Sequence, residues 1–204
     1  MSPHNHPDNE VLFSYAAGTL RPGFDLVVAV HLERCGSCRG AVASFEAAAA
    51  ELIDDCPPAG MSPAALSATL ARLDDEEPVG PPPAPGPLSD RLPLGRKRRL
   101  LPGAWSAPVK VAHAAEDRVY VVRLARGNVL KHGHAGPEFG CVLTGSLIDG
   151  DTVFGPGDFM AHDERHNHHP RVHGDDPCMC LFATTGRLKV DGFIRRVMQH
   201  LADV

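Results

Sequence analysis

The chain has 204 residues, which at roughly 100–200 residues per domain leaves room for one large domain or two small ones. Twelve His against two Tyr and one Trp, together with six Cys, raise the question of metal binding before any motif is read. A net charge of −5 gives no reason to expect direct nucleic-acid binding by the chain as a whole.

The opening Met1-Ser2-Pro3-His4-Asn5-His6-Pro7-Asp8 lacks the basic start and apolar stretch of a signal peptide, and no run of about 18 apolar residues follows. The expectation is a cytoplasmic protein that does not enter membranes. In that compartment the Cys residues suit metal or redox chemistry better than a disulfide framework.

Residues 1–77 read as three or four helices. Glu10 to Gly18 is a short amphipathic stretch ending on Gly, and Phe24 to Leu32 is apolar and preceded by Pro22-Gly23. Ala41 to Ile53 has high helix propensity, with four consecutive Ala. Ser62-Pro63 ahead of Leu66, Leu70 and Leu73 gives a cap, a Pro at the first helical position and an apolar stripe at helical spacing.

The first constellation falls among these helices as His31-x3-Cys35-x2-Cys38. On a continuous helix the three residues would share a face. Gly36-Ser37 also suits a turn, in which case the Cys pair forms a knuckle between two helices. Either arrangement converges two thiolates and an imidazole, a donor set that favours zinc and asks for a fourth ligand, which His6 or His4 can supply. The competing reading is a reduced thiol pair or a thioredoxin-like redox motif, but no βαβ pattern surrounds it.

Nine of the 19 Pro fall between Pro78 and Pro108, so residues 78–108 read as an extended, semi-rigid linker between two domains. The charge divides along the same lines. Residues 1–77 carry 4 basic and 12 acidic side chains, residues 78–110 carry 6 and 1, and residues 111–204 carry 10 and 12. The acidic first segment suits a basic protein partner.

Residues 109–200 change character. Val119 to Leu124, Cys141 to Gly145, Thr152 to Phe154 and Met179 to Thr184 are short apolar or β-branched runs separated by Gly, Pro and Asp turns, the pattern of a small antiparallel sandwich or barrel. Here lies the second constellation, His132-x-His134-x3-Glu138, where two imidazoles share a strand face and a carboxylate returns to it after a turn. Its spacing from Gly127 to Gly145 resembles the first cupin motif, one residue short before the first His. Pro156-Gly157-Asp158 supplies the turn of a second motif, and a ligand about ten residues later is His168, with His162, His166 and His169 competing nearby. Three His and one Glu suit several borderline ions, zinc among them. Cys178 and Cys180 share a strand face and form a candidate redox pair, or else are small core residues. Cys56 and Cys141 read as structural.

Together these segments resemble the ChrR family of zinc-binding anti-sigma proteins. The likeness is carried by Glu10 to Leu20, by Ala29 to Cys35 with Cys38, and by the following cupin-like spacing. The resemblance implies a multi-domain α + β chain, with a small all-α zinc-binding domain followed by an all-β cupin, a double-stranded β-helix. It implies zinc at His6, His31, Cys35 and Cys38, with His6 as the upstream ligand, and a second zinc at His132, His134, Glu138 and His168. It further implies a Cys178/Cys180 pair close to that second site. The function implied is sequestration of an extracytoplasmic-function (ECF, group IV) sigma factor, with release on oxidative stress, singlet oxygen or peroxide, sensed by the cupin. The protein would then be a negative regulator of transcription and no enzyme. The alternative is a metal-dependent cupin enzyme such as a dioxygenase, with an N-terminal regulatory domain.

Overall fold

The computed structural model describes residues 2–74, 86–111, 117–127, 136–163 and 169–185. Four helices come first: α1 (Asn9–Ala16), α2 (Pro22–Leu32), α3 (Gly36–Asp54) and α4 (Ala65–Asp74). Local chemistry sets their starts. The Asp8 carboxylate caps α1 by accepting from the Val11 N–H at 2.8 Å. Pro22 takes the first position of α2, where its missing N–H would have no helical partner. Cys35 caps α3 through its sulfur, which accepts from the Cys38 N–H at 3.4 Å. Because α2 stops at Leu32 and α3 starts at Gly36, His31, Cys35 and Cys38 do not share one helix, and the Cys pair is the knuckle between two.

The remainder is antiparallel β structure. Its described strands are β1 (Arg98–Leu101), β2 (Ala104–Pro108), β3 (Asp117–Leu124), β4 (Glu138–Thr144), β5 (Leu147–Asp149), β6 (Thr152–Phe154), β7 (Phe159–His162), β8 (Arg171–Val172) and β9 (Cys178–Thr185). One sheet runs β1-β2-β3-β9-β4-β7 and a second runs β6-β5-β8. The first two strands lie inside residues 78–108, the stretch that composition suggests as a linker. Pro102-Gly103 is the two-residue turn of the β1–β2 hairpin, with Gly103 at φ +76°, so prolines that read as linker also serve the sheet. Just upstream, the Glu33 carboxylate accepts from the backbone N–H groups of Leu88 and Ser89, which ties this segment to the end of α2.

The larger sheet is buried on both faces. Val122, Leu124, Val142, Met160, Cys178 and Cys180 point inward against Leu147, Phe154 and Val172 of the smaller sheet. Alternate residues, among them Val119, Val121, Cys141, Leu143, Leu181 and Ala183, point outward and are covered by Phe24, Val27 and Val28 of α2. Strands covered on both faces read as continuous apolar runs instead of alternating ones. Phe24 meets Phe139 edge to face with ring centroids 4.8 Å apart, and burial of each such side chain contributes about 1.5–3 kcal/mol. Arg21 adds a two-pronged ion pair to the nearly inaccessible Asp117 at the start of β3, at 2.7 and 2.9 Å.

Helix α2 comes so close to the sheet that a Cβ on Gly23 would lie 2.5 Å from Val119 Cγ2. Ala is the better helix former, so propensity alone would make Gly23→Ala stabilising. We expect the clash to reverse the sign and cost about 1–3 kcal/mol. A lower urea midpoint at unchanged slope would show it, and an unchanged or higher midpoint would mean that α2 does not sit on β3 in this way.

Candidate metal centre

Four ligand atoms meet where the N-terminal arm crosses the α2–α3 knuckle. His6, His31, Cys35 and Cys38 each present one donor atom, all within 4.8 Å of one another. His6 Nδ1 lies 3.3 Å from Cys35 Sγ and 3.5 Å from Cys38 Sγ. The ligand edges of a tetrahedral zinc site with ordinary bond lengths are about 3.3–3.8 Å. His31, Cys35 and Cys38 are buried, while His6 stays exposed on the arm. Of the two histidines the sequence left open, His6 is the one in the cluster. His4 contributes only its backbone N–H elsewhere.

The tautomer of His31 follows from one contact. Its Nδ1 lies 2.7 Å from the Gly157 carbonyl oxygen, which can only accept, so Nδ1 carries the proton. Nε2 is then the free lone pair, and it is buried without a hydrogen-bond partner among the described residues. Burial lowers the His31 pKa, with the neighbouring His6 adding to the effect and the Gly157 carbonyl opposing it, so the ring is neutral as a ligand must be. The sulfurs differ. Burial opposes ionisation of Cys35, yet hydrogen bonds from Ser37 and Cys38 outweigh it and bring its pKa below the usual thiol value. Cys38 is pushed up to about 11 by burial and by the adjacent Cys35 sulfur. Two thiolates side by side need a cation to ionise together, and a buried, unpaired imidazole nitrogen aimed at them completes a set that fits one.

Of the second constellation the structure describes Glu138. It starts β4, is fully buried on the inner face, and one carboxylate oxygen accepts from the Tyr120 O–H at 3.0 Å. His132, His134, His166 and His168 lie outside the described residues. His162 pairs with Glu138 across β7 and β4, with its Nε2 3.8 Å from Asp149, and His169 is exposed. Cys178 and Cys180 sit on the inner face of β9 with their sulfurs 3.5 Å apart. Cys180 is raised well above the ordinary thiol value, first by the hydrogen bond with Cys178 and then by burial, which makes it a poor nucleophile as it stands. Cys141 is buried as expected of a structural residue, but Cys56 is exposed and does not pack.

Sequence reading missed two contributors to the first centre. Asp158 and Gly157 appeared only as part of a cupin turn, yet they hold the arm and His31. They lie over 120 residues from the segments they touch, and no local pattern announces the pairing.

A helical unit with a Cys2His2 cluster, packed on an antiparallel two-sheet unit, defines the class. The β unit is matched over residues 98–189 by the family described as the ChrR Cupin-like domain. The anti-sigma-E factor ChrR of Cereibacter sphaeroides is 32% identical over 209 residues, 98% of each chain. The crystal structure of Rhodobacter sphaeroides SigE in complex with the anti-sigma ChrR matches with a TM-score of 0.75 and 33% identity, covering 89% of this chain and 98% of that one. The chain belongs to the ChrR family.

Because metal binding must displace the proton of Cys38, affinity should rise with pH. Between pH 6 and pH 8 we expect about one decade per pH unit for each proton released. Chelator competition on the stripped chain measures this, and affinity independent of pH would exclude the thiolates as ligands.

Proposed function

We propose that this chain is a zinc-containing anti-sigma factor that works in the cytoplasm as a negative regulator. Its helices sequester an ECF sigma factor, and the cupin-like unit relays oxidative stress, singlet oxygen or peroxide, that ends the sequestration. The observation that carries the reading is the likeness to the anti-sigma-E factor ChrR over 98% of both chains. The runner-up, a metal-dependent cupin enzyme such as a dioxygenase, gains no support from a relative of the same extent that is a regulator.

Zinc is favoured at the first centre because two thiolates and two imidazoles at these spacings are a closed structural set. When bound, zinc would cross-link the arm to the α2–α3 knuckle and so contribute folding free energy. At the cupin-like unit we assign His132, His134, Glu138 and His168 as the second set, on the spacing of the motif and the burial of Glu138. An oxidant-sensing role for Cys178 and Cys180 would require β9 to open first, because both thiols are buried.

The sigma-binding face is argued from exposure. The Phe24 to Val30 stretch, apolar as it is, is not available for docking, since it is packed against the sheet. Leu66 and Leu70, one turn apart on α4, are 69% and 51% exposed, and Met61, Leu52 and Ile53 are more exposed still. These exposed apolar side chains sit on the most acidic part of the chain, which suits a basic partner.

The test uses the full chain, because cutting at the linker would strip the sheet from α2. Co-expressed with a candidate ECF sigma factor, the chain should retain it through purification. Leu66→Glu with Leu70→Glu should weaken that binding at least tenfold, about 1.4 kcal/mol, at unchanged zinc content. Wild-type affinity in the double variant would move the docking face elsewhere, and failure to retain any ECF sigma factor would overturn the reading. Separately, His132→Ala should hold the sigma factor normally but no longer release it when oxidant is added. Normal release would remove His132 from the sensing site.

A further inference from the structure

Two of the four ligands at the first centre are held by one turn of the β unit. The turn is Gly155-Pro156-Gly157-Asp158, between β6 and β7. Asp158 is buried, and its Oδ1 accepts from the backbone N–H groups of His4 at 2.6 Å and Asn5 at 2.9 Å, while Oδ2 accepts from Gly155 at 2.7 Å. The Asn5 carbonyl in return accepts from the Phe159 N–H at 3.0 Å, and the Asn5 side-chain amide donates to the Val153 carbonyl at 3.4 Å. The residue before the ligand His6 is therefore fixed on both sides of its backbone. One residue from Asp158, the Gly157 carbonyl accepts from His31 Nδ1 at 2.7 Å.

The turn is shaped for this contact. Gly157 has φ +92°, in the left-handed region that favours glycine, and a Cβ there would lie 3.0 Å from both Arg34 Cδ and Pro3 Cγ. Both neighbours belong to the ligand-bearing segments, the arm and the knuckle. Its own frame is internal: the Gly157 N–H donates to the Val142 carbonyl at 2.8 Å and the Val142 N–H to the Asp158 carbonyl at 3.1 Å. The turn is thus braced on β4, which lies between β9 and the edge strand β7 in the larger sheet.

From this geometry we infer that the Gly155–Asp158 turn is a clasp through which the cupin-like unit builds the metal centre of the helical unit, with Asp158 as a positioning residue for His6 and Gly157 for His31. The inference rests on the metal reading of the cluster given above. Its consequence is reciprocal: the β unit raises the affinity of the centre for its ion, and the ion, by fixing His6 and His31, holds the arm and α2 on the β unit. Residues that orient metal ligands typically carry 10–100-fold in affinity, which is about the effect assigned to Asp158.

The experiment is done on the full chain with zinc as the probe. Zinc affinity is measured by competition with a chromophoric chelator for the wild type, Asp158→Ala and Asp158→Asn, with Cys38→Ser as the variant that lacks the centre. We expect Asp158→Ala to bind about 10–100-fold more weakly, and Asp158→Asn, which keeps one carbonyl acceptor, to fall between the two. Amide hydrogen exchange supplies a second readout that needs no variant at the clasp. In the wild type, removing zinc from the first centre should accelerate exchange at Asn5 and Phe159 while the β3 and β9 amides stay protected, and Cys38→Ser should show no such zinc dependence. A folded Asp158→Ala with wild-type affinity overturns the clasp. So do Asn5 and Phe159 amides that exchange equally fast with and without zinc, which decides the matter even where the Ala variant does not fold. If the wild type and Cys38→Ser bind the same amount of zinc, it is the metal reading of the cluster that fails.

Discussion

Helix α2 buries every residue from Gly23 to Leu32 except Asp25, Leu26 and Ala29, which are half-buried, and this near-complete burial is the constraint around which the molecule is arranged. One side lies on β3, β4 and β9, another supports α1 and α3, and the last turn carries His31 with no exposed surface. Packed interiors do not deform continuously, so a helix held in this way keeps its C-terminal imidazole at a set distance from the sheet. The Gly157 carbonyl can therefore select the His31 tautomer, and Nε2 is delivered to two sulfurs that lie beyond the end of the helix. The donor cluster at the knuckle and the packing on the sheet are two consequences of one placement.

How far the structure could be read in advance follows from the range of each interaction. The helical stretches from Glu10 and from Phe24, the strands over Val119–Leu124 and Met179–Thr184, and the grouping of His31, Cys35 and Cys38 obey local rules and are legible in the chain, to within a residue or two of the observed ends. The choice between His6 and His4 is not, because both sit on an extended arm whose position is set by Asp158, 153 residues from Asn5. The apolar run of α2 is ambiguous for another reason: a helix packed into a core and a helix awaiting a partner have the same composition. Prolines hid β1 and β2, since a turn at Pro102 and a stiff linker both call for that residue. Cys56 and Cys141 sit in equally plain surroundings along the chain, and only the fold makes one exposed and the other buried.

The two cysteine pairs show how position decides chemistry for one residue type. Cys35 and Cys38 lie beside imidazoles at the junction of arm and knuckle, where backbone N–H and Ser37 hydroxyl groups favour a thiolate on Cys35. Cys178 and Cys180 have their sulfurs 3.5 Å apart but lie inside the sheet sandwich, where their own mutual hydrogen bond and burial keep Cys180 protonated. The first pair belongs to a donor set that fits a cation, and the second, while the sheet stays closed, is core.

Strand β9 links that core to the helices. It sits between β3 and β4, and its side chains alternate: Cys178, Cys180 and Thr184 face inward, in the layer of Glu138 and Tyr120, while Leu181 and Ala183 face α2. Displacing its inner residues must therefore move outer ones that pack under Val27, Val28 and Phe24. Such a displacement changes the helical unit only by as much as it favours one packing of α2 over another. The Arg21–Asp117 pair and the Asp158 turn oppose it at opposite ends of α2, the first beside the start of the helix and the second beside the end that carries His31. On the proposed function, a signal from the β unit would have to overcome both attachments to free the helices as a whole, whereas loss of a bound ion would weaken only the second, so release would begin at the end of α2 that carries His31.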